Sequence, residues 1–181
     1  MAKLISKTYG DALFELAVEE NKTSLFLDEV KGLLAIIQEN NEFWQFMNHP
    51  KIPKEDKIQV VENVFRDKIN KELLGFLVTI IEKDRYAQIQ SILEYVIEQI
   101  KEYLSIGTAY VTTAVPLKAD EKKEIEERLL ATTKYKTIEC TYVEDSTLIG
   151  GMIIRMGDRV VDSSIRTKLE KMERELMAIQ L

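Results

Sequence analysis

Ser146–Leu169 reads STLIGGMIIRMGDRVVDSSIRTKL and decides the fold of the C-terminal part of the chain. Glycine supplies the positive φ of tight hairpin turns, so Gly157-Asp158 predicts a two-residue turn between strands at 152–156 and 159–161. Gly150-Gly151, ahead of the first strand, predicts a bulge or a close approach between backbones. The glycine spacing matches neither nucleotide-binding fingerprint, and the glycines precede a strand rather than a helix. A structural turn is therefore favoured over a phosphate-binding loop.

The last helix carries a heptad seam, and Asp162 or Ser163 is expected to cap its start. Its apolar residues are spaced like the a and d positions of two heptads, and they are Ile165, Leu169, Met172, Leu176 and Ile179. Basic residues border this segment, namely Arg155, Arg159, Arg166, Lys168 and Lys171. Two interpretations stay open: a solvated face with ion pairs along the helix, or an electrostatic surface for an acidic partner helix.

Upstream of residue 105, apolar residues recur at helical spacing. The pattern predicts six helices, at 4–20, 24–39, 42–48, from Pro53 onward, at 71–83 and at 86–104. The first and fifth helices carry more apolar surface than one packing face needs, and a helix of that kind usually has a second contact. The surplus residues on the first helix are Leu4, Phe14 and Val18. The fifth helix is apolar over roughly 200° of its circumference at 100° per residue.

The pattern changes at Ser105-Ile106-Gly107, where apolar residues begin to alternate. Strands are predicted at 108–115 and 137–144, with a charged helix at 119–132 between them. We therefore expect a mainly α protein with an N-terminal six-helix bundle, residues 1–105. A small α/β module with a short mixed sheet, residues 106–181, follows it.

Composition excludes several classes of protein. The 181-residue chain has a net charge of −6 and a pI near 5.1, which argues against nucleic-acid binding, because phosphate contacts need clustered basic residues. We recognise no signal peptide or transit segment and no apolar run near the roughly 18–20 residues of a membrane span. The single cysteine cannot form a disulfide within the chain. These features predict a cytosolic protein or one peripheral on the cytosolic side of a membrane, and they also leave open a mature organellar protein whose transit peptide has been removed.

No constellation of residues predicts catalysis, a metal site or a cofactor. His49 is the only histidine and precedes a proline, so it has no partner set for zinc or for a nucleophile. Cys140 falls in mid-strand and is expected to be a buried thiol. Adjacent carboxylates such as Glu126-Glu127 lie on charged helix faces without the burial that splits catalytic pKa values. A small enzyme on an α+β scaffold therefore lacks the residues it would need.

Two motifs carry a family resemblance. Tyr9–Ala17 (YGDALFELA) and Leu148–Arg166 (LIGGMIIRMGDRVVDSSIR) resemble the opening and the C-terminal signature of the delta subunit family of the F-type ATP synthase. The mitochondrial homologue of that subunit is the oligomycin sensitivity conferring protein. Leu74–Val78, followed by Arg85-Tyr86, fits the middle segment of the family, and Ser163 departs from it where glycine is common.

The resemblance implies a non-catalytic stator subunit without cofactor or metal, peripheral on the cytoplasmic face of a bacterial cell membrane. The N-terminal bundle would bind the N-terminal helices of the alpha subunits, one of them between its first and fifth helices. Candidate residues for that groove are Leu4, Phe14, Val18, Leu74, Leu77, Val78 and Ile81. The C-terminal module would bind the paired b-subunit helices, with Arg166, Leu169, Met172, Leu176 and Ile179 as candidates. The alternative is a free-standing helical adaptor that binds another amphipathic helix.

Overall fold

The computed structural model describes the backbone of residues 2–179 and the side chains of residues 4–178. The chain forms two compact units that meet in sequence between Leu104 and Ser105. Each unit has its own secondary structure and its own core.

The N-terminal unit is helical throughout, as the 3.6-residue periodicity predicts. Pro53 immediately precedes the fourth helix, where its missing N–H leaves no hydrogen bond unmade. A single 3₁₀ turn, Tyr86–Gln88, leads into the last helix of this unit. The helices are α1 (Ala2–Glu19), α2 (Thr23–Glu39), α3 (Asn41–Asn48), α4 (Lys54–Phe65), α5 (Lys71–Glu82) and α6 (Ile89–Tyr103).

Helix α6 lies at the centre of this unit, because it packs along both α1 and α2. Its apolar face is fully enclosed and includes Ile92, Leu93 and Val96. Helix α5 packs on α4 and also contacts α1. Each of these helices buries one face in the core of the unit. On α1 and α5, some apolar side chains outside that face remain partly exposed.

The C-terminal unit is a four-stranded mixed sheet with two helices. The strand order is β2-β1-β3-β4, with β1 parallel to β2 and antiparallel to β3, and with β4 antiparallel to β3. Its elements are β1 (Ile106–Thr113), α7 (Ala119–Thr132), β2 (Thr137–Glu144), β3 (Met152–Met156), β4 (Arg159–Asp162) and α8 (Ile165–Ile179), with a 3₁₀ turn at Ser146–Leu148.

One face of this sheet carries the small core of the unit. Ala109 and Val111 of β1 are completely buried, and Ile125 of the crossover helix α7 is buried with them. The pairing of Val111 with Ile154 and of Ile154 with Val161 extends this face across β3 to β4. At β4 the face opens to solvent, since all four residues of that strand are exposed. The β4 edge of the sheet is thus only thinly covered.

The predicted fold class is confirmed, and so is the turn at Gly157-Asp158, which joins the paired residues Met156 and Arg159. Gly157 has a φ of +56°, as the turn requires. The predicted cap of the last helix needs a correction. The side chain that accepts the N–H of Thr167 at 3.2 Å belongs to Ser164 rather than to Ser163. Asp162 lies two residues before Ser164 and accepts the N–H of Ser164 at 2.8 Å, so it holds the residue that caps the helix.

Candidate docking surfaces

The structure divides the candidate residues of the first and fifth helices into two groups. Leu77 and Ile81 are each only 2% exposed, so they belong to the core of the bundle and not to an open groove. Leu74 and Val78 are half-buried on the neighbouring side of α5. The wide apolar arc of α5 does not reveal which part of it the other helices cover, so on this helix the predicted groove narrows to Leu74 and Val78.

The strip predicted on α1 also changes in part. Leu4 is 69% exposed and Val18 is half-buried, so both have open surface. Phe14 instead packs edge-to-face on Tyr103 of α6, with ring centroids 5.7 Å apart. That side of α1 therefore borders α6 at Phe14, and the side chain is engaged within the unit.

A second strip on α1, which the periodicity assigns to the core, is left partly open. Tyr9 and Leu16 are half-buried and Ala12 is exposed, whereas Leu13 and Ala17 on the adjoining positions are fully buried. These residues follow one another at intervals of three or four and so share one side of the helix. The sequence did not identify them as surface, because their spacing is that of an ordinary core face.

Helix α5 offers close access to its backbone beside the half-buried residues. A Cβ placed on Gly75 would meet no atom within 4 Å, so the helix surface at this position is bare. Leu74 precedes Gly75 directly, and Val78 lies one turn further along the helix. A glycine of this kind allows another backbone to approach closely.

In the C-terminal unit, helix α8 presents its apolar seam to solvent. Leu169, Met172 and Leu176 are 50%, 58% and 65% exposed, although apolar residues at heptad spacing normally contact a partner helix. Arg166 is also exposed; it donates to the hydroxyl oxygen of Thr147 at 3.3 Å. The side chain of Ile179, the last candidate of the seam, lies outside the described residues.

Two further apolar residues extend this seam and were missed by the sequence reasoning. Ile149, ahead of the glycine pair, lines the same open groove of about 640 Å³ as Leu169, Met172 and Leu176, and Met177 lines it too. Met177 follows Leu176 directly and so falls outside the a and d positions, and the heptad repeat does not single it out. Ile149 comes from a loop, which no helical repeat describes. We call the exposed side chains of Ile149, Leu169, Met172, Leu176 and Met177 the α8 surface.

The first turn of α8 is fastened to the loop that precedes β3. The N–H of Ile165 donates to the carbonyl oxygen of Gly150 at 2.9 Å. A Cβ on Gly151, which has a φ of +75°, would overlap the carbonyl oxygen of Ser163. Gly150 and Gly151 therefore permit the close approach of backbones that the sequence predicted. This approach sets where α8 begins relative to the sheet.

Hydrogen bonds at this joint also set the charge state of Asp162. Its carboxylate accepts the N–H of Ser164 and, at 2.8 Å, the hydroxyl of Thr167. These bonds hold the pKa of the Asp162 carboxyl below its ordinary value, with the Ser164 N–H as the largest cause. The carboxylate is ionised at neutral pH and stabilises the helix start through its charge as well.

Among the described residues, the structure shows neither a metal cluster nor an activated thiol. No three His, Cys, Asp or Glu side chains between residues 2 and 179 lie where they could share a metal ion. Burial raises the pKa of the half-buried Cys140 thiol, which makes it a poorer nucleophile. Within the same part of the chain, no helix is long and apolar enough to cross a membrane. What the geometry does offer is apolar helix surface in both units.

Comparisons with known proteins agree along the whole chain. Residues 5–176 match the family model described as ATP synthase delta (OSCP) subunit. The chain is 48% identical over 181 residues to ATP synthase subunit delta of Lachnoclostridium phytofermentans, with 100% of each chain covered. It is 34% identical to the subunit of the same name from Clostridium beijerinckii, with 98% of each chain covered.

The fold also matches a chain in the cryo-EM structure of the Toxoplasma gondii mitochondrial ATP synthase hexamer. The TM-score is 0.71, and the match covers 95% of this chain and 97% of that one. Because the sequence identity is 19%, this likeness shows the fold alone. The family model and the full-length bacterial relatives carry the assignment: the chain belongs to the ATP synthase delta (OSCP) subunit family, the non-catalytic stator subunits of the F-type ATP synthase.

Proposed function

We propose that the chain joins the catalytic head of the ATP synthase to its peripheral stalk through one docking surface in each unit. The N-terminal unit would take the N-terminal helices of the alpha subunits, and the C-terminal unit would take the paired b subunits. In this role the protein is peripheral on the cytoplasmic face of the bacterial cell membrane. The observation that carries the proposal is the exposed heptad seam of α8, which a chain with no partner would be expected to bury.

On the head side, the proposed contact runs along α1 and α5, which touch each other in the bundle. Leu74 and Val78 supply half-buried apolar surface beside the bare backbone of Gly75. On α1 the open strip of Tyr9, Ala12 and Leu16 supports the same docking, and Leu4 and Val18 keep accessible surface on the other side. An amphipathic helix lying in such a groove buries its apolar face without any chemistry.

On the stalk side, the α8 surface would pack against a helical partner in the manner of a coiled coil. Its flanking charges then bear on which partner is accepted and in which direction it lies. A stator must hold the head against the torque of the rotating shaft, so slow dissociation is what matters. Burial of apolar surface at about 25 cal/mol per Å² supplies this at both ends.

The experiment is co-purification of the alpha and b subunits with a tagged full-length chain from bacterial membranes. The unaltered chain should recover both. Val78→Asp should lose the alpha subunit and keep b, whereas Met172→Asp should lose b and keep alpha. A free-standing adaptor would recover neither subunit, and loss of both partners with either single variant would contradict two separate surfaces.

A further inference from the structure

Ile149 holds an unfavourable backbone conformation. Its φ and ψ are 67° and −38°, in the left-handed half of the backbone map. A β-branched side chain collides with the backbone there, so isoleucine at positive φ is a true outlier. Glycine would be free of strain at this position. The chain nevertheless has isoleucine here, and its glycines come next, at positions 150 and 151.

The loop on both sides keeps Ile149 in this conformation. Leu148 is almost fully buried, and the N–H of Ile149 donates to the carbonyl oxygen of Ser146 at 3.2 Å. On the other side, Gly150 accepts the N–H of Ile165 at the start of α8. The backbone of Ile149 is thus fixed by its neighbours, and strain of this kind persists only where the surroundings impose it.

The side chain of Ile149 does little for the fold. It is 63% exposed, so the core of the C-terminal unit does not depend on it. It stands instead beside Leu169 and Met172 on the groove that runs along α8. Backbone strain of this kind clusters at binding and functional sites, and Ile149 contributes little burial within its own chain.

The charges beside the α8 surface specify the partner. In the heptad register of the seam, Arg166 and Lys168 occupy flanking positions at the start of α8, and Glu173 and Glu175 occupy them near its end. A matching helix therefore carries acidic residues opposite the first pair and basic residues opposite the second. Such a helix lies along α8 in one preferred direction.

We propose that Ile149 is a strained contact residue that anchors a heptad-patterned amphipathic helix of the stalk against α8. The inference rests on the proposed docking of the b subunits to this surface. It adds a residue from outside the helix to the contact, and a charge pattern that the docked helix must carry.

The test measures stability and binding together, because Ile149 should affect them in opposite directions. Glycine is unrestrained at this φ and ψ, so Ile149→Gly relieves the strain, whereas Ile149→Asn removes the branched apolar side chain but keeps a Cβ. Protection of the β1 and β3 amides against hydrogen exchange in the full chain should stay the same or rise by up to about tenfold. Affinity for the membrane-free part of the paired b subunits should fall by about tenfold.

Val160→Asn is the matched control, because Val160 is similarly exposed in the same unit but is not part of the α8 surface. It should leave stalk affinity unchanged. Parent-like stalk affinity in Ile149→Asn would overturn the inference. It would also be overturned if amide protection and stalk affinity fell together in both variants, because Ile149 would then have a structural role. If the unaltered chain does not bind the stalk subunits at all, the proposed function fails first and the inference falls with it.

Discussion

Tyr95 of α6 donates its hydroxyl hydrogen bond to the Asp11 carboxylate of α1 over 2.7 Å. The two helices approach closely at this point, since a Cβ on Gly10 would overlap the Tyr95 ring. A further side-chain bond joins the same helices, between the hydroxyls of Ser6 and Ser91 at 2.9 Å. Helix α1 is therefore tied to α6 on one side, while Tyr9, Ala12 and Leu16 on another side of α1 stay partly open.

The Tyr95–Asp11 bond should make stability depend on pH at the alkaline end. The bond to Asp11 raises the pKa of the Tyr95 hydroxyl above its usual value near 10. A pKa raised by folding contributes stability that is present below the unfolded value and is lost as pH rises through the folded value. We expect Tyr95→Phe to lower the thermal midpoint at pH 7, and the difference from the parent to vanish above the raised pKa.

A double-mutant cycle with Asp11→Asn provides the control for this bond. The two substitutions should be coupled at pH 7 and uncoupled at strongly alkaline pH, as followed by thermal unfolding. Additive effects at pH 7 would mean that the hydrogen bond does not stabilise the bundle.

Adjacent positions of α5 should respond differently to a charge. Leu77→Asp buries a carboxylate without a partner in the core and should destabilise the N-terminal unit by about 3–5 kcal/mol. Val78→Asp lies on half-buried surface and should cost about 1 kcal/mol or less, while binding of an alpha-subunit N-terminal peptide falls at least tenfold.

Chemical denaturation and peptide titration of the full chain measure the two effects of these α5 variants. Val64→Asp on α4 is the matched control, because it also places a charge at an exposed apolar position of the same unit. It should leave both stability and peptide binding near those of the parent. Normal peptide binding by a folded Val78→Asp protein would remove α5 from the docking surface.

The two glycines at positive φ in the C-terminal unit form a second matched pair. Gly151→Ala adds both backbone strain and an overlap with Ser163, whereas Gly157→Ala adds backbone strain alone, because its Cβ would meet nothing within 4 Å. We expect Gly157→Ala to cost about 1–2 kcal/mol and Gly151→Ala to cost at least about 1 kcal/mol more. Denaturant unfolding of the full chain measures both free energies. Equal costs would mean that the backbone at Ser163 shifts to make room for the added Cβ without a loss of stability.

The start of α8 should loosen in acid. The depressed pKa of Asp162 means that its contribution is present above the unfolded value near 3.9 and is lost as pH falls through the folded value. Amide protection of Thr167 should therefore be lower in Asp162→Asn than in the parent at pH 6, since an amide cannot supply the charge. The two proteins should converge below the folded pKa, and a constant difference across this range would contradict the role of the ionised carboxylate.

Local backbone geometry explains why the sequence predicted the elements of the chain correctly. A helix repeats every 3.6 residues and a strand every two, so the change of pattern at Ser105-Ile106-Gly107 marks where helices give way to the sheet. The turn at Gly157-Asp158 follows from the positive φ that glycine permits. The exposed seam of α8 was predicted as a surface because heptad spacing in a single helix implies a partner.

Sequence alone determined the helices, the strands, the connecting turn and the heptad seam, because each depends on residues close together in the chain. Only the tertiary structure decided that Leu77 and Ile81 are buried while Leu74 and Val78 keep open surface, since burial depends on helices distant in sequence. It also decided the conformation of Ile149, which the contacts of a buried neighbour and of the start of α8 impose on a residue that would avoid it in isolation.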